Sequence, residues 1–242
     1  METALPEIGR AVFQTISKLH LFQRYESLVL LGMNNVLQQK LVKSLFFLFS
    51  FLMNVYFCVK NAMNMDYKIS CFEYMLFQLM EWYRDLRPSQ NPLNSFTRLK
   101  SLKLLFFVAT AEASESNEGL LSIFDNFYAM GNGPVESDVY NAMVENTMSV
   151  FDFSDRCPLL KCDVEDSTFD AIDQDVKEQI QHSIKILRER NPSIILYTPF
   201  QLVELSHTRE SWSVAMEIAS LLGKGSAKMN KSLMQSENKS FQ

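Results

Sequence analysis

Apolar residues recur at three- and four-residue intervals in one long segment after another, and that spacing restricts the chain mainly to helices that each bury one face. Between Asp66 and Arg87 the series is Ile69, Phe72, Leu76, Leu79, Met80 and Tyr83, closed by Pro88 and Pro92. From near Ser95 to about Ser114, Leu99, Leu102, Phe106 and Ala109 form a stripe that Leu105 and Val108 widen. Its central run, LKLLFFVA, is too apolar for a surface helix and is expected in the middle of a bundle. The clearest helix spans Ser167 to Arg190. Phe169, Ile172, Val176, Ile180, Ile184 and Leu187 share one side, Ser167 with Asp170 resembles a capping box, and Lys185, Arg188 and Arg190 suit the negative end of the dipole. Thr198-Pro199-Phe200-Gln201 opens another helix with a threonine cap, a proline at the first position and a glutamine at the third. Thr208 is placed to cap a last helix through Trp212, Ala215, Ile218 and Leu222 to a stop at Gly223.

Glycine and proline number seven each in 242 residues, too few for a sandwich of many short strands. The fold class is therefore mainly α: a compact helical bundle domain with at most short extended segments, preceded by a separate apolar N-terminal helical region. Leu120 to Met130 fits a short helix or an extended piece equally well. Gly131-Asn132-Gly133-Pro134 reads as a turn, with Pro134 at the first position of a helix to about Met148 that faces Val135, Val139, Tyr140, Met143 and Thr147 inward. Residues 151–166 read as loop.

Charge divides the chain. Residues 1–64 carry six Lys/Arg against three Asp/Glu, whereas residues 65–242 carry 17 against 25. An acidic body without a visible basic cluster argues against generic nucleic-acid binding. The organisation expected is an apolar extension over 1–64, a helical domain over 65–223 and a flexible polar tail over 224–242. Leu45 to Val59, flanked by Lys43 and Lys60, is about 15 residues long, shorter than the roughly 20 of a bilayer span. Three readings of it stay open: a membrane anchor, a helix packed on the domain, or an upstream extension. Cys58, Cys71, Cys157 and Cys162 lack paired C-x-x-C spacing, so reduced thiols are expected rather than zinc ligands. The carboxylates Asp163, Glu165, Asp166, Asp170, Asp173 and Asp175 lack the glycine and spacing of a calcium loop.

Three pieces stand in order: LKLLFFVA from Leu102 to Ala109, FYAMGNGPVESDVY from Phe127 to Tyr140, and LVELSHTRESW from Leu202 to Trp212. Together they resemble the Panacea domain family of SocA-like antitoxins, over roughly residues 65–222. That family combines a K-L-L-Y/F-F run, a GPV-x-x-x-V-Y segment and an L-x-x-L-S/T-H-x-x-x-x-W element. The resemblance implies a mainly helical, cytoplasmic antitoxin that neutralises a cognate toxin, usually encoded beside it, by direct binding. Some relatives deliver the toxin to a protease, so the alternative is a proteolytic adaptor or phage-related regulatory protein with a client. No cofactor, metal or catalytic residue is expected.

Partner-binding candidates are Gly131, Gly133, Pro134, Val135, Tyr140, His207 and Trp212. His207 is a titratable group near neutrality, but no nucleophile motif accompanies it, and a hydrogen-bonded helix junction or a partner contact is favoured over catalysis. Trp212 reads as core packing before interface anchor. Gly131 and Gly133 resemble an anion-holding turn, yet the chain has no G-K-[ST] or dinucleotide fingerprint, and Pro134 removes a donor.

Overall fold

A computed structural model describes the backbone of residues 36–241 and the side chains of residues 47–52, 64–165 and 167–241. The chain divides into two compact units, Met1–Asn61 and Ala62–Gln242. The readings offered for Leu45 to Val59 fall largely outside the described side chains, and so does the apolar extension over 1–64. Among the described residues, no helix is long and apolar enough to cross a membrane.

The structure is mainly helical, as the periodicity predicts. Helix α1 is Val36–Leu86, and in the second unit its face of Ile69, Phe72, Leu76, Leu79, Met80 and Tyr83 is buried. Helix α2, Arg98–Ala111, is capped by Thr97, whose hydroxyl accepts from the Lys100 amide at 3.3 Å. Every residue from Lys100 to Ala111 is buried, so α2 is the central rod. It is touched by strand β2 (Gly133–Glu136), by α4 (Gln174–Arg190), by α5 (Pro199–His207) and by the 3-10 turn Gly119–Ser122.

Leu120 to Met130 resolves into that turn and strand β1, Phe127–Met130. β1 pairs antiparallel with β2 and, on its other edge, with β5 (Ala227–Lys228), giving the order β2-β1-β5. Pro134 therefore lies inside a strand, opposite Ala129, and not at the start of a helix. The helix, α3, begins three residues later and spans Ser137–Glu145; its cap is Glu136, whose side chain accepts from the Val139 amide. With that shift Tyr140 and Thr147, expected inward, are exposed, while Val139 and Met143 are buried. The loop over 151–166 carries a small antiparallel pair, β3 (Phe151–Asp152) with β4 (Leu159–Leu160).

Helix α4 starts at Gln174, later than Ser167. A 3-10 turn over Asp166–Phe169 precedes it, with Glu165 and Thr168 forming the reciprocal cap. Phe169 and Ile172 are buried although they stand outside the helix. Helix α5 has the Thr198–Gln201 capping box its sequence announces. Helix α6, Glu210–Leu221, takes Arg209 rather than Thr208 at its cap, with no side-chain cap bond, and ends before Gly223 at φ 64°.

The polar segment 224–242 reads in sequence as a flexible tail; its described residues, 224–241, are instead folded onto the body. They supply β5 and helix α7 (Lys231–Ser236), and they bury Met229, Met234, Glu237 and Phe241. Widely spaced apolar anchors achieve this without any run that periodicity would register.

Candidate functional site

The three motif pieces meet at the tip of the β1–β2 hairpin. From α2, the Lys103 amine is fully buried and donates to the Pro134 carbonyl at 2.5 Å. From α5, the Ser206 hydroxyl is turned to the Val203 carbonyl at 2.7 Å and lies beside Gly133. From α6, the Trp212 indole N–H donates to the Met130 carbonyl at 3.0 Å, and the His207 ring stacks on the indole with centroids 3.8 Å apart. Gly133 has φ 86°, in the left-handed region that favours glycine, and pairs with Met130 across the two-residue loop Gly131-Asn132. Lys103 and Trp212, more than 100 positions apart in the chain, thus bond the two strand ends at this hairpin tip, and Ser206 packs against it from a third side.

Burial decides the chemistry of this node. It holds the Lys103 amine down to about 7, because an ammonium cannot be hydrated there. Burial and then the Lys103 charge also lower His207, opposed by the Gly131 backbone and the Glu204 charge. The His207 Nε2 is buried without a hydrogen-bond partner, and the ring is held by the tryptophan stack together with a hydrogen bond to the Gly131 backbone. The imidazole is placed to fix the α5–α6 junction.

The lysine carries a pH signature. Its folded pKa of about 7 lies below the ordinary value of 10.5, so above pH 7 the unfolded chain binds more protons than the native one. Stability therefore rises with pH across that interval. Lys100, lowered to about 8 by burial, acts in the same direction from pH 8 upward. Denaturation midpoints should climb from pH 7 to pH 9. Lys103→Met should flatten the climb between pH 7 and 8, and urea titrations at half-unit intervals read the difference.

A second polar cluster lies at the other end of the hairpin. From α1 the Lys68 amine donates to Asp125 at 2.8 Å, to Glu136 at 3.0 Å and to Asp138 at 2.6 Å. Burial alone would push this amine down, but bonds to Asp125, Asp138 and Glu136 outweigh it and hold it above the ordinary lysine value. Glu136 is fully buried; its burial raises its pKa, against the opposing charge of Lys68. Its oxygens also accept the amides of Asn126 at 3.2 Å and Val139 at 2.8 Å. Oxygens of Asp125, Glu136 and Asp138 approach within 4.8 Å of one another, as cation ligands would, and the Lys68 ammonium supplies the positive charge among them.

Above this cluster α3 presents a face to solvent. Tyr140 is 38% exposed and Val144 53%, one turn apart. The adjoining side of α3 borders a cleft of about 520 Å³ lined by Met65, Asp66, Ile69, Asp138, Asn141 and Glu145 among others.

The candidates read from sequence thus separate. Gly131, Gly133, Pro134, His207 and Trp212 come together at the hairpin tip; Gly131 is exposed, His207 and Trp212 are half-buried, and Gly133 and Pro134 are buried. Val135 is buried, and Tyr140 lies past the base of β2 on α3. A four-residue strand, about 13 Å long, stands between tip and base. Lys68, Lys103 and Glu136 did not stand out as site residues in the sequence. For Lys103 the available signal was a cation inside LKLLFFVA; for Glu136 it was an acid three residues before the first apolar position of α3. Among the described residues Cys71, Cys157 and Cys162 are free thiols.

No protein-family model, no curated protein and no solved structure matches this chain.

Proposed function

We propose that the chain is a cytoplasmic Panacea-type antitoxin that neutralises a cognate toxin, encoded by an adjacent gene, through stoichiometric binding and without turnover. The observation that carries this reading is the convergence of all three motif pieces on one hairpin, through Lys103 to Pro134, Ser206 against Gly133, and Trp212 to Met130. A chance match to three separate motifs gives no reason for their residues to bond one another. Much of the node is buried, so its role in this reading is to hold the hairpin, and α3 directly after it, in one geometry. Preorganisation of that kind reduces the ordering cost of association.

The docking face is assigned to α3. Tyr140 and Val144 supply exposed apolar area, and Tyr140 combines that area with a polar tip. Asp66 and Glu145 around the neighbouring cleft favour a partner segment bearing lysine or arginine. The double variant Tyr140→Ala, Val144→Asp is expected to weaken partner binding at least 100-fold, about 3 kcal/mol, with an unchanged melting temperature. Titration calorimetry against the purified neighbouring gene product measures the first and a thermal melt the second. Full affinity in the double variant would remove α3 from the interface.

A further inference from the structure

An unpacked linker joins α6 to a C-terminal arm, residues 227–241. Leu221 to Gly225 are exposed, and no atom lies within 4 Å of where a Cβ would stand at Gly223 or Gly225. The arm is seated from Ala227 onward. Its strand β5 lies along β1, with Ala227 opposite Ala129 and Lys228 opposite Tyr128, and the Met229 amide donates to the Phe127 carbonyl at 2.9 Å. Lys231 pairs with Glu118 at 2.6 Å, and Gln235 donates to the Ser114 carbonyl at 3.0 Å. The Ser211 amide donates to Glu237 Oε2 at 2.7 Å, and Asn191 donates to the Phe241 carbonyl at 2.5 Å. Every body residue in that series lies at or before Ser211, so the seating uses nothing of the linker.

The seam between arm and body closes imperfectly. Glu237 Oε1 stands 3.7 Å from the Arg209 guanidinium and makes no hydrogen bond. Arg209 is fully buried, yet its Nε, Nη1 and Nη2 have no hydrogen-bond partner, and the group rests among the rings of Phe106, Phe107 and Phe241. The Ser211 hydroxyl is buried and unpaired as well. Among the described residues, five of the ten such side-chain atoms lie at this one seam. Ring faces attract a guanidinium but accept no strong hydrogen bond, so they offset only part of its desolvation. Water reaches these groups when the arm lifts. Opening therefore recovers hydration that docking withholds, which places the arm among the least stable elements of the domain.

We propose that the arm is exchangeable: the seat on one molecule accepts residues 227–241 of a second copy of this chain, and two copies trade arms reciprocally about the linker. A second arm brings the same edge strand, carboxylate and phenyl ring, so the occupant fits the seat by identity, and the exchange closes as a two-fold dimer. It is independent of α3 and of the antitoxin reading. For the test, the full chain is made in ordinary and heavy-nitrogen form, and equal amounts are left to equilibrate at about millimolar concentration, comparable to that of a short tether's end. A carbodiimide then joins Lys231 to Glu118 without a spacer, since the two side chains touch and stay partly exposed. Size exclusion should separate a dimer in which mixed-isotope Lys231–Glu118 links appear from a monomer in which they do not. Deleting Lys224 and Gly225 removes about 7 Å of reach, so an arm falls short of its own seat and the dimer-to-monomer ratio should rise at least tenfold. Circular dichroism checks that this variant keeps the native fold, and the native mixture tests the exchange without it. A native chain that stays monomeric at this concentration, a dimer whose links are all of one isotope, or an unchanged ratio in the folded deletion variant would overturn the proposal.

Discussion

Gly133→Ala is expected to destabilise the domain by about 2–4 kcal/mol, although it adds a single methyl group. The residue holds φ 86°, where an L side chain costs roughly 1 kcal/mol. A Cβ there would overlap the Ser206 hydroxyl and stand 3.1 Å from Lys103 Cε and 3.2 Å from its amine. Overpacking of this kind adds about 1–3 kcal/mol, and here neither neighbour has a cheap escape. Ser206 is tied to the Val203 carbonyl and Lys103 to the Pro134 carbonyl, both fully buried. Gly131, two residues earlier, is the control. It has no atom within 4 Å of where a Cβ would lie, so Gly131→Ala should cost well under 1 kcal/mol. Urea denaturation of both variants reads the contrast, and equal midpoints would show that the hairpin tip is not the packed node described.

The second large effect is expected at Lys68. Replacing it with methionine keeps most of the side chain's bulk and removes the charge that three carboxylates share. Glu136 is fully buried, and Asp138 is half-buried, so the loss leaves desolvated like charges within 4.8 Å of one another. Breaking a buried pair in this way costs about 3–5 kcal/mol. The loss should be greatest near neutral pH and smaller under mild acid, since burial already raises the Glu136 pKa and loss of Lys68 removes a charge that opposes that shift. Once Glu136 takes a proton, the repulsion falls. A Lys68→Met variant as stable as the parent at pH 7, or one equally weakened at pH 5, would contradict the assignment.

These two positions illustrate what could and could not be read in the sequence. The face of α1, the buried character of α2 and the capping box of α5 follow from local spacing, because each depends on residues within a turn or two of one another. The hairpin did not follow. Gly133-Pro134 reads locally as a turn running into a helix, and only pairing of Pro134 with Ala129 and of Tyr128 with Lys228 makes it a strand in a sheet. Phe169 and Ile172 kept their burial but lost their helix, since a stripe reports what faces the core and not which backbone carries it. The candidate site shares that division. His207 and Trp212 were visible as residue types, but their stack and the bond from Trp212 to Met130 depend on α6 crossing the hairpin. Lys68 gave no signal, because its carboxylates lie 57 to 70 positions away. The acidic body over 65–242 was legible from counting; that Tyr140 faces outward beside that charge was not.

The central proposal is that this chain acts by occupying another protein in a complex of fixed composition. Its most direct measurement pairs growth with stoichiometry: the neighbouring gene is expressed alone and together with this chain, and the co-purified material is weighed by light scattering after size exclusion. The account predicts arrest in the first case, growth in the second, and a complex of fixed composition that the Tyr140→Ala, Val144→Asp variant fails to form. A neighbour that is harmless by itself, or growth restored without any complex, would contradict it.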